Sequence, residues 1–135
     1  MPLTLEEAQT VVAGAHEHAA GSGLKVSVAV VDEGGLLKAL GRMDGAPPLS
    51  AQIAESKAVG AALWHRDGAS LAEVQRDRPA FFAQVDRLVR LPIVPGLGSV
   101  LIRRAGEVVG AVGVSGAAPE QDRDCAQAGL ALLGS

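Results

Sequence analysis

The chain has 135 residues, a formal net charge of −3 and a sequence pI of about 5.5. This length is typical of one domain, so residues 1–135 are expected to form a single domain. The chain has no basic block beyond Arg103 and Arg104, and only one Trp and two Phe, so nucleic acid is not an expected partner. A core of Ala, Val, Leu and Ile buries less area per residue, which favours a homo-oligomer.

The N-terminal segment and the single cysteine indicate the compartment. Residues 1–7 contain neither a basic region nor an apolar stretch, so no signal peptide is predicted. No apolar run reaches the roughly 18 residues of a membrane span, so we expect a cytoplasmic protein with no membrane partner. Cys125 is the only cysteine and cannot form an intramolecular disulfide; its Ala-rich surroundings predict a small core residue.

The first part of the chain predicts a helix followed by a β-hairpin. Thr4 and Glu7 have the spacing of a capping box, and apolar residues recur at helical intervals from there to Gly21. Residues 25–32 alternate as a strand that is apolar enough to be central, and residues 36–42 form the return strand after a Gly-rich turn.

The middle of the chain predicts three helices. Ser50 is expected to cap the second helix, which ends at Gly68. A third helix begins at Ser70, and Pro79 occupies the first turn of a fourth helix.

The last part of the chain predicts a second hairpin and a final helix. Residues 99–103 and 107–115 flank a tight turn, and Pro119 begins the last helix. The order is therefore helix, hairpin, helices, hairpin, helix. This order predicts an α+β fold in which helices pack on an antiparallel sheet.

The loop around Ser115 and Gly116 is the first candidate site. A strand ends there and a helix begins, and the free amides of a helix start can bind an anion or a carboxylate. Ala111, Gly113 and Ser115 alternate along one face of the strand and leave space above it. Either a ligand or a closely packed helix fills that space.

Asp122 is predicted to face the sheet, because it shares one stripe of the last helix with Cys125, Ala126 and Gly129. A buried carboxylate needs a partner or hydrogen bonds. Two interpretations are open: Asp122 binds backbone amides of its own loop, or it belongs to a functional site.

Basic side chains supply the other candidate contacts. Lys57 lies on or beside the apolar stripe of the second helix. Its ammonium group therefore either pairs with an acidic side chain or reaches solvent. The candidate acidic partners are Asp32, Asp44 and Asp122. Arg42 offers a planar fork for a carboxylate or phosphate, although Asp44 is close enough in sequence to pair with it.

The histidines do not form a metal-binding pattern. His16 and His18 point roughly 200° apart on a helix with 3.6 residues per turn, so they cannot chelate one ion together. His65 and Met43 are candidate axial haem ligands, with a surface or capping role as the alternative. No metal-ligand spacing, nucleotide-binding fingerprint or Gly-x-Ser-x-Gly nucleophile motif occurs.

Several short motifs occur together in order over nearly the whole chain. They are Thr4-Leu5-Glu6-Glu7-Ala8, Val28 to Gly35, Arg42 to Ala46, Lys57-Ala58, Gly110 to Gly116, and Gln121-Asp122 followed by Cys125-Ala126 and Ala128-Gly129. This ordered set resembles the GlcG/HbpS-like family, which includes the C-terminal domain of PduO-type proteins. At residues 95–98 the chain has Pro-Gly-Leu-Gly, whereas the family often has Gly-Gly-x-Pro.

The resemblance implies a profilin-like fold, in which helices flank an antiparallel sheet, and self-assembly into oligomers. It also implies haem as a candidate cofactor, because family members are associated with haem binding, haem breakdown or iron sensing. The family's motif positions correspond here to Asp32, Arg42, Asp44, Lys57, Ser115 and Asp122.

Together these observations predict a binding protein for haem or another small molecule. Arg42 and Lys57 would neutralise its carboxylates, Ser115 and the Gly116 loop would donate hydrogen bonds, and Asp122 would hold the loop in place. The alternative is a small enzyme for hydrolysis or isomerisation of a catabolic intermediate, in which Lys57 with Asp122 or Asp44 forms an acid–base pair.

Overall fold

The computed structural model describes residues 1–134, and this part of the chain contains five helices and four strands. The helices are α1 (Leu5–Gly21), α2 (Ser50–Trp64), α3 (Gly68–Asp77), α4 (Pro79–Asp86) and α5 (Pro119–Ala131). The strands are β1 (Ser27–Asp32), β2 (Leu37–Arg42), β3 (Ser99–Arg104) and β4 (Glu107–Ser115). The strands form one antiparallel sheet in the order β2-β1-β4-β3, which confirms the predicted α+β fold.

The sheet lies between two helical layers, so side chains on both of its faces are buried. Helices α1 and α5 pack on one face and α2 packs on the other. Valines alternate between the two layers along β1: Val28 and Val30 contact the α1–α5 layer, and Val31 contacts α2. This explains the nearly continuous apolar sequence of the two central strands.

Several turns and helix ends were predicted correctly from local sequence signals. Thr4 and Glu7 form the predicted capping box, with the amide of Glu7 donating to Thr4 Oγ1 at 3.1 Å and the amide of Thr4 donating to Glu7 Oε1 at 3.0 Å. The β3–β4 turn has positive φ at both Ala105 and Gly106, as a two-residue hairpin loop of type I′ requires. Cys125 is buried, as predicted.

The predicted start of α2 was wrong. Leu49 holds the N-cap position without a side-chain cap. Ser50 is the first helical residue, and its hydroxyl donates to the carbonyl of Pro47 and lies 2.8 Å from the hydroxyl of Ser27. The Ser50 hydroxyl therefore makes a tertiary contact with β1 and does not cap the helix.

The predicted boundary between α2 and α3 was also wrong. Helix α2 ends at Trp64, because His65 adopts a left-handed conformation with φ 52° and ψ 41°. Helix α3 begins at Gly68, two residues before Ser70. Asp67 precedes it but does not cap it, since its carboxylate accepts a hydrogen bond from the amide of Leu101 at 2.7 Å.

Within residues 1–134, no helix combines the length and the apolar character that crossing a bilayer requires.

Candidate functional site

Lys57 and Asp122 form an ion pair at one end of the sheet. Lys57 extends from α2 and Asp122 from α5, so the pair joins the helical layers on the two faces of the sheet. The ammonium Nζ donates to the carbonyl of Val114 at 2.9 Å and to Asp122 Oδ2 at 3.3 Å. The Lys57 side chain is 11% exposed and that of Asp122 is 4% exposed, so both charges are largely removed from water.

The second oxygen of Asp122 holds the loop that precedes α5. Oδ1 accepts a hydrogen bond from the amide of Ala117 at 3.0 Å. Asp122 therefore binds its own loop, as one interpretation predicted, and it is also the acidic partner of Lys57. Of the three candidate acids for Lys57, Asp32 and Asp44 are not in contact with it.

Two glycines make room for this arrangement. A Cβ on Gly98 would come within 2.6 Å of both Lys57 Nζ and the carbonyl oxygen of Val114, so a side chain there would separate the pair from β4. A Cβ on Gly113 would collide with the backbone of α2 at Ala54 and Ala58. The small-residue face of β4 is thus filled by α2, which packs directly on its backbone.

Burial is the main influence on the pKa of the acid in this ion pair. Desolvation raises the pKa of the Asp122 carboxyl above its ordinary value, and the positive charge of Lys57 and the amide of Ala117 oppose that rise. Burial likewise raises the pKa of the Cys125 thiol, one turn further along α5, so this cysteine stays a neutral core residue.

Ser115, Ser27 and Arg42 lie in one row across the sheet. Ser27 is opposite Ser115 on β4 and opposite Arg42 on β2. The row faces α2, because Ser27 contacts Ser50 there. The Ser27–Ser50 contact was not predicted, although a serine in a strand of valines and alanines is the signal that could have revealed it. Arg42 is exposed and donates from Nη1 to the carbonyl of Ala46 at 3.0 Å.

The other predicted site residues have local roles in turns. Asp32 accepts hydrogen bonds from the amides of Gly34 and Leu36 at 2.9 and 3.0 Å, at the opposite end of β1 from Ser27, about 17 Å away at 3.3 Å per residue. Asp44 is exposed in the loop after β2. Gly116 has φ 133°, and a Cβ there would approach the carbonyl oxygen of Lys25 to 2.7 Å.

The candidate haem ligands differ in availability. The sulfur of Met43 accepts a hydrogen bond from the amide of Val26 at 3.4 Å. His16, which was not a candidate, has its Nε2 2.9 Å from the carbonyl oxygen of Gly41. His65 is exposed at the end of α2. His18, which the sequence did not single out as a ligand, lines an open groove of about 470 Å³ between α1 and α5, where small and polar residues predominate.

All three aromatic residues of the chain lie together beside the end of α2. The ring of Trp64 stacks on Phe82 at 5.5 Å and meets Phe81 edge-on at 6.1 Å. The guanidinium of Arg78 lies 4.2 Å from the Phe81 ring centre. Beside these rings is a cavity of about 300 Å³, the aromatic groove, which is lined by Leu63, Trp64, Phe81, Val85 and Val89.

An antiparallel sheet between an α1–α5 layer and α2, closed at one end by a buried Lys–Asp pair, is the architecture of a small α+β domain. The chain belongs to the family described as haem degrading protein HbpS-like, which it matches over residues 3–131. The resemblance predicted from the ordered motifs is therefore confirmed.

Individual relatives agree with this assignment. Protein GlcG of Escherichia coli strain K12 is 38% identical over 115 residues, which are 84% of this chain and 81% of that protein. A double mutant of HbpS from Streptomyces reticuli is 33% identical, with a TM-score of 0.90 over 100% of this chain and 89% of that one. The PduOC:Heme complex is 27% identical, with a TM-score of 0.89 over 99% of this chain and 96% of that one.

Proposed function

We propose that this chain is a haem-binding accessory protein. The observation that carries the proposal is the likeness to the PduOC:Heme complex, which extends over 99% of the chain at a TM-score of 0.89. Membership of a family described as haem degrading supports the same cofactor.

The described part of the chain contains each kind of group that haem binding needs. A haem needs an iron ligand, an apolar surface for the porphyrin and cations for its propionates. His65 is exposed, while Met43 and His16 are engaged with backbone atoms. The aromatic groove supplies apolar and aromatic surface, and Arg78 beside it supplies a cation. When bound, the haem iron would supply redox and oxygen chemistry, while the protein would bind and orient the group.

Titration with hemin tests the proposal. We expect a saturable shift of the Soret band at micromolar concentrations, with one hemin bound per chain or per pair of chains. Bovine serum albumin serves as a non-specific positive control, and a small acidic protein without histidine serves as a negative control. An unshifted Soret band at these concentrations would contradict haem binding.

The residues at the end of the sheet support a second proposal, the binding of a small anionic molecule. Arg42 is an exposed cation in the same row as Ser115, and Lys57 and Asp122 hold the loop that contains Gly116. A direct ligand role for Lys57 or Asp122 requires their ion pair to open. Replacing Arg42 with Ala should weaken binding of citrate, measured by calorimetry, while replacing the exposed Arg76 should not; equal effects would contradict this site.

The small-enzyme alternative has one specific observation in its favour. The raised pKa of Asp122 beside Lys57 is the pattern of an acid–base pair. If the pair is catalytic, the double variant Lys57→Met with Asp122→Leu, which leaves no buried charge unpaired, abolishes turnover in a screen of hydrolase and isomerase substrates while circular dichroism shows that it is folded. Unchanged turnover in that variant would exclude Lys57 from the reaction.

We also propose that the chain assembles into homo-oligomers. Leu36 and the edge-strand residues Leu37 and Leu40 are 56, 45 and 39% exposed. Exposed leucines on an unprotected edge strand favour association, because burying them removes apolar surface from water. Native mass spectrometry should detect oligomers of the wild type, and Leu37→Glu with Leu40→Glu should shift them to monomers. A monomeric wild type would contradict assembly.

A further inference from the structure

We infer that a groove beside α2 binds a small, uncharged aliphatic molecule that carries a hydroxyl or carbonyl group. The inference is independent of the proposed haem binding, because it concerns another cavity and another class of ligand. The cavity, here called the aliphatic groove, has a volume of about 430 Å³. It lies between residues 49–56 at the start of α2 and residues 91–94 of the connection that leads to β3.

The helical repeat of α2 creates one wall of the groove. Leu49, Ile53 and Ser56 are spaced by four and three residues, so they lie on one face of the helix. Gly60 continues that face, and a Cβ there would come within 2.5 Å of Ile93 Cγ2, so Ile93 packs directly on the helix backbone. The neighbours of Ile93 form the other wall, above the preceding turns of α2: Leu91, Pro92 and Val94.

Hydrogen bonds hold the connection in place over α2. The amide of Ile93 donates to Asp86 Oδ1 at 2.6 Å. Arg90 Nη2 donates to the carbonyl of Gly35 at 2.8 Å and to Glu55 Oε2 at 3.1 Å, so it ties the connection both to the β1–β2 turn and to α2. A groove whose walls are fixed in this way loses little conformational freedom when a ligand enters it.

The hydroxyl of Ser56 is the polar group in the groove that packing does not explain. Ser56 is 8% exposed, and its hydroxyl makes no hydrogen bond to any of residues 1–134. In that part of the chain, the unpartnered polar atoms sealed from solvent are Trp64 Nε1 and Ser99 Oγ, so the Ser56 hydroxyl keeps access to the groove that it lines. A nearly buried hydroxyl has lost most of its contact with bulk water, and a polar group on a ligand would restore a hydrogen bond to it.

The other lining side chains select the class of ligand. Among the described residues that line the groove, all except Gln52, Glu55 and Ser56 are aliphatic, which favours an aliphatic body over an aromatic one. Glu55 is the only ionisable side chain in this lining, and its carboxylate is paired with Arg90 at 3.1 Å. A carboxylate or phosphate on a ligand would therefore find no free cation there. The amide of Gln52 and the hydroxyl of Ser56 can each bind a hydroxyl or a carbonyl group.

The experiment compares hexanol with hexanoate, which share an alkyl chain and differ in charge. Amide chemical shifts of the wild type are followed by nitrogen–proton correlation NMR. Hexanol at millimolar concentrations should shift the amides of residues 49–56 and 91–94 in a saturable way. Hexanoate should bind at least about tenfold more weakly. Equal binding of hexanoate would overturn the uncharged class of ligand, and hexanol shifts that spare both segments would overturn the site.

Substitutions separate the hydroxyl from the apolar walls. Ser56→Ala keeps the shape of the groove and should weaken hexanol binding about threefold to tenfold, because one hydrogen bond is lost. Ser70→Ala removes a hydroxyl from α3, outside the groove, and should leave binding unchanged; an equal loss there would overturn the role of Ser56. Ile53→Phe fills part of the cavity and should abolish saturable binding, so wild-type affinity in that variant would contradict the site. Circular dichroism and thermal melts establish that each variant is folded.

A second copy of the chain is the alternative occupant of this groove. In that case the amides of residues 49–56 and 91–94 shift when the protein is diluted without hexanol, and such shifts would overturn the inference. Spectra that do not change on dilution, together with saturable hexanol binding, support a groove that is open to a small molecule. Hemin titration of Ile53→Phe should match the wild type, so the failure of either proposal leaves the other standing.

Discussion

Lys57 and Asp122 each depend on the other, because each charge is held in a region with little access to water. Replacing Lys57 with Met leaves the Asp122 carboxylate buried without its cation. We expect the free energy of unfolding, measured by urea denaturation, to fall by about 3–5 kcal/mol.

Two comparisons make this prediction specific to the buried pair. The double variant Lys57→Met with Asp122→Leu should recover most of the lost stability, because apolar residues often replace a buried ion pair without loss. Arg76→Met breaks a pair whose side chains are 70 and 69% exposed, and its effect should stay below about 0.5 kcal/mol. A loss of similar size in Arg76→Met would contradict a special role for burial.

The raised pKa of Asp122 also predicts how stability depends on pH. Between the ordinary value of 3.8 and the raised value in the folded protein, the native state retains a proton that the unfolded chain has released. The free energy of unfolding therefore falls as the pH rises through that interval. Asp122→Asn cannot titrate, so the wild type should lose stability relative to this variant as the pH rises from 3.8, in parallel urea titrations. A difference that is constant with pH, or that changes in the opposite direction, would contradict the raised pKa.

Sequence reasoning found the inward positions of Lys57 and Asp122 because helical periodicity determines which face a residue occupies. It left three acids as partners for Lys57, because the choice depends on which loop folds back to the end of the sheet. The aromatic groove was missed for the same reason: Trp64 and Phe81 are far apart in the sequence and meet only when α4 packs beside the end of α2.

At the scale of elements, the contact between α2 and β4 depends on the absence of a side chain at Gly113. A methyl group there would approach the backbone nitrogen of Ala58 to 2.7 Å and would also collide with the carbonyl of Ala54. Gly113→Ala must therefore displace the helix from the sheet, and we expect it to cost about 1–3 kcal/mol or more in urea denaturation.

A second glycine provides the control. Gly21 is the last residue of α1, and a Cβ there would meet nothing within 4 Å. Gly21→Ala should be neutral or slightly stabilising, since alanine restricts the unfolded chain and favours the helix. If the two substitutions had equal effects, the close approach of α2 to β4 would not be what Gly113 provides.

The order and type of the elements were predictable because each depends on local patterns. Alternation identified the strands, a Gly-rich turn and the tight turn at Ala105-Gly106 identified the two hairpins, and proline identified the starts of α4 and α5. Helix ends were less predictable where a polar side chain has a tertiary partner. Ser50 contacts Ser27 and Asp67 contacts the amide of Leu101, so neither caps the helix beside it.

At the scale of the whole molecule, aliphatic and aromatic residues are segregated. The two faces of the sheet are packed with Val, Ala, Leu and Ile, whereas Phe82 lies in a separate small cluster with Leu71 and Ile93. The segregation follows from a chain with only three aromatic residues, all of them at the junction of α2 and α4.

This segregation gives the protein a local optical reporter. Trp64 is the only indole in the chain, so intrinsic fluorescence reports the α2–α4 junction, while far-ultraviolet ellipticity reports every helix and strand. The small cluster around Phe82 has fewer buried side chains to hold it than the sheet has, so the junction should open at lower urea than the remainder of the fold. Emission and ellipticity should then give two displaced transitions, and coincident transitions would contradict a separate opening of the junction.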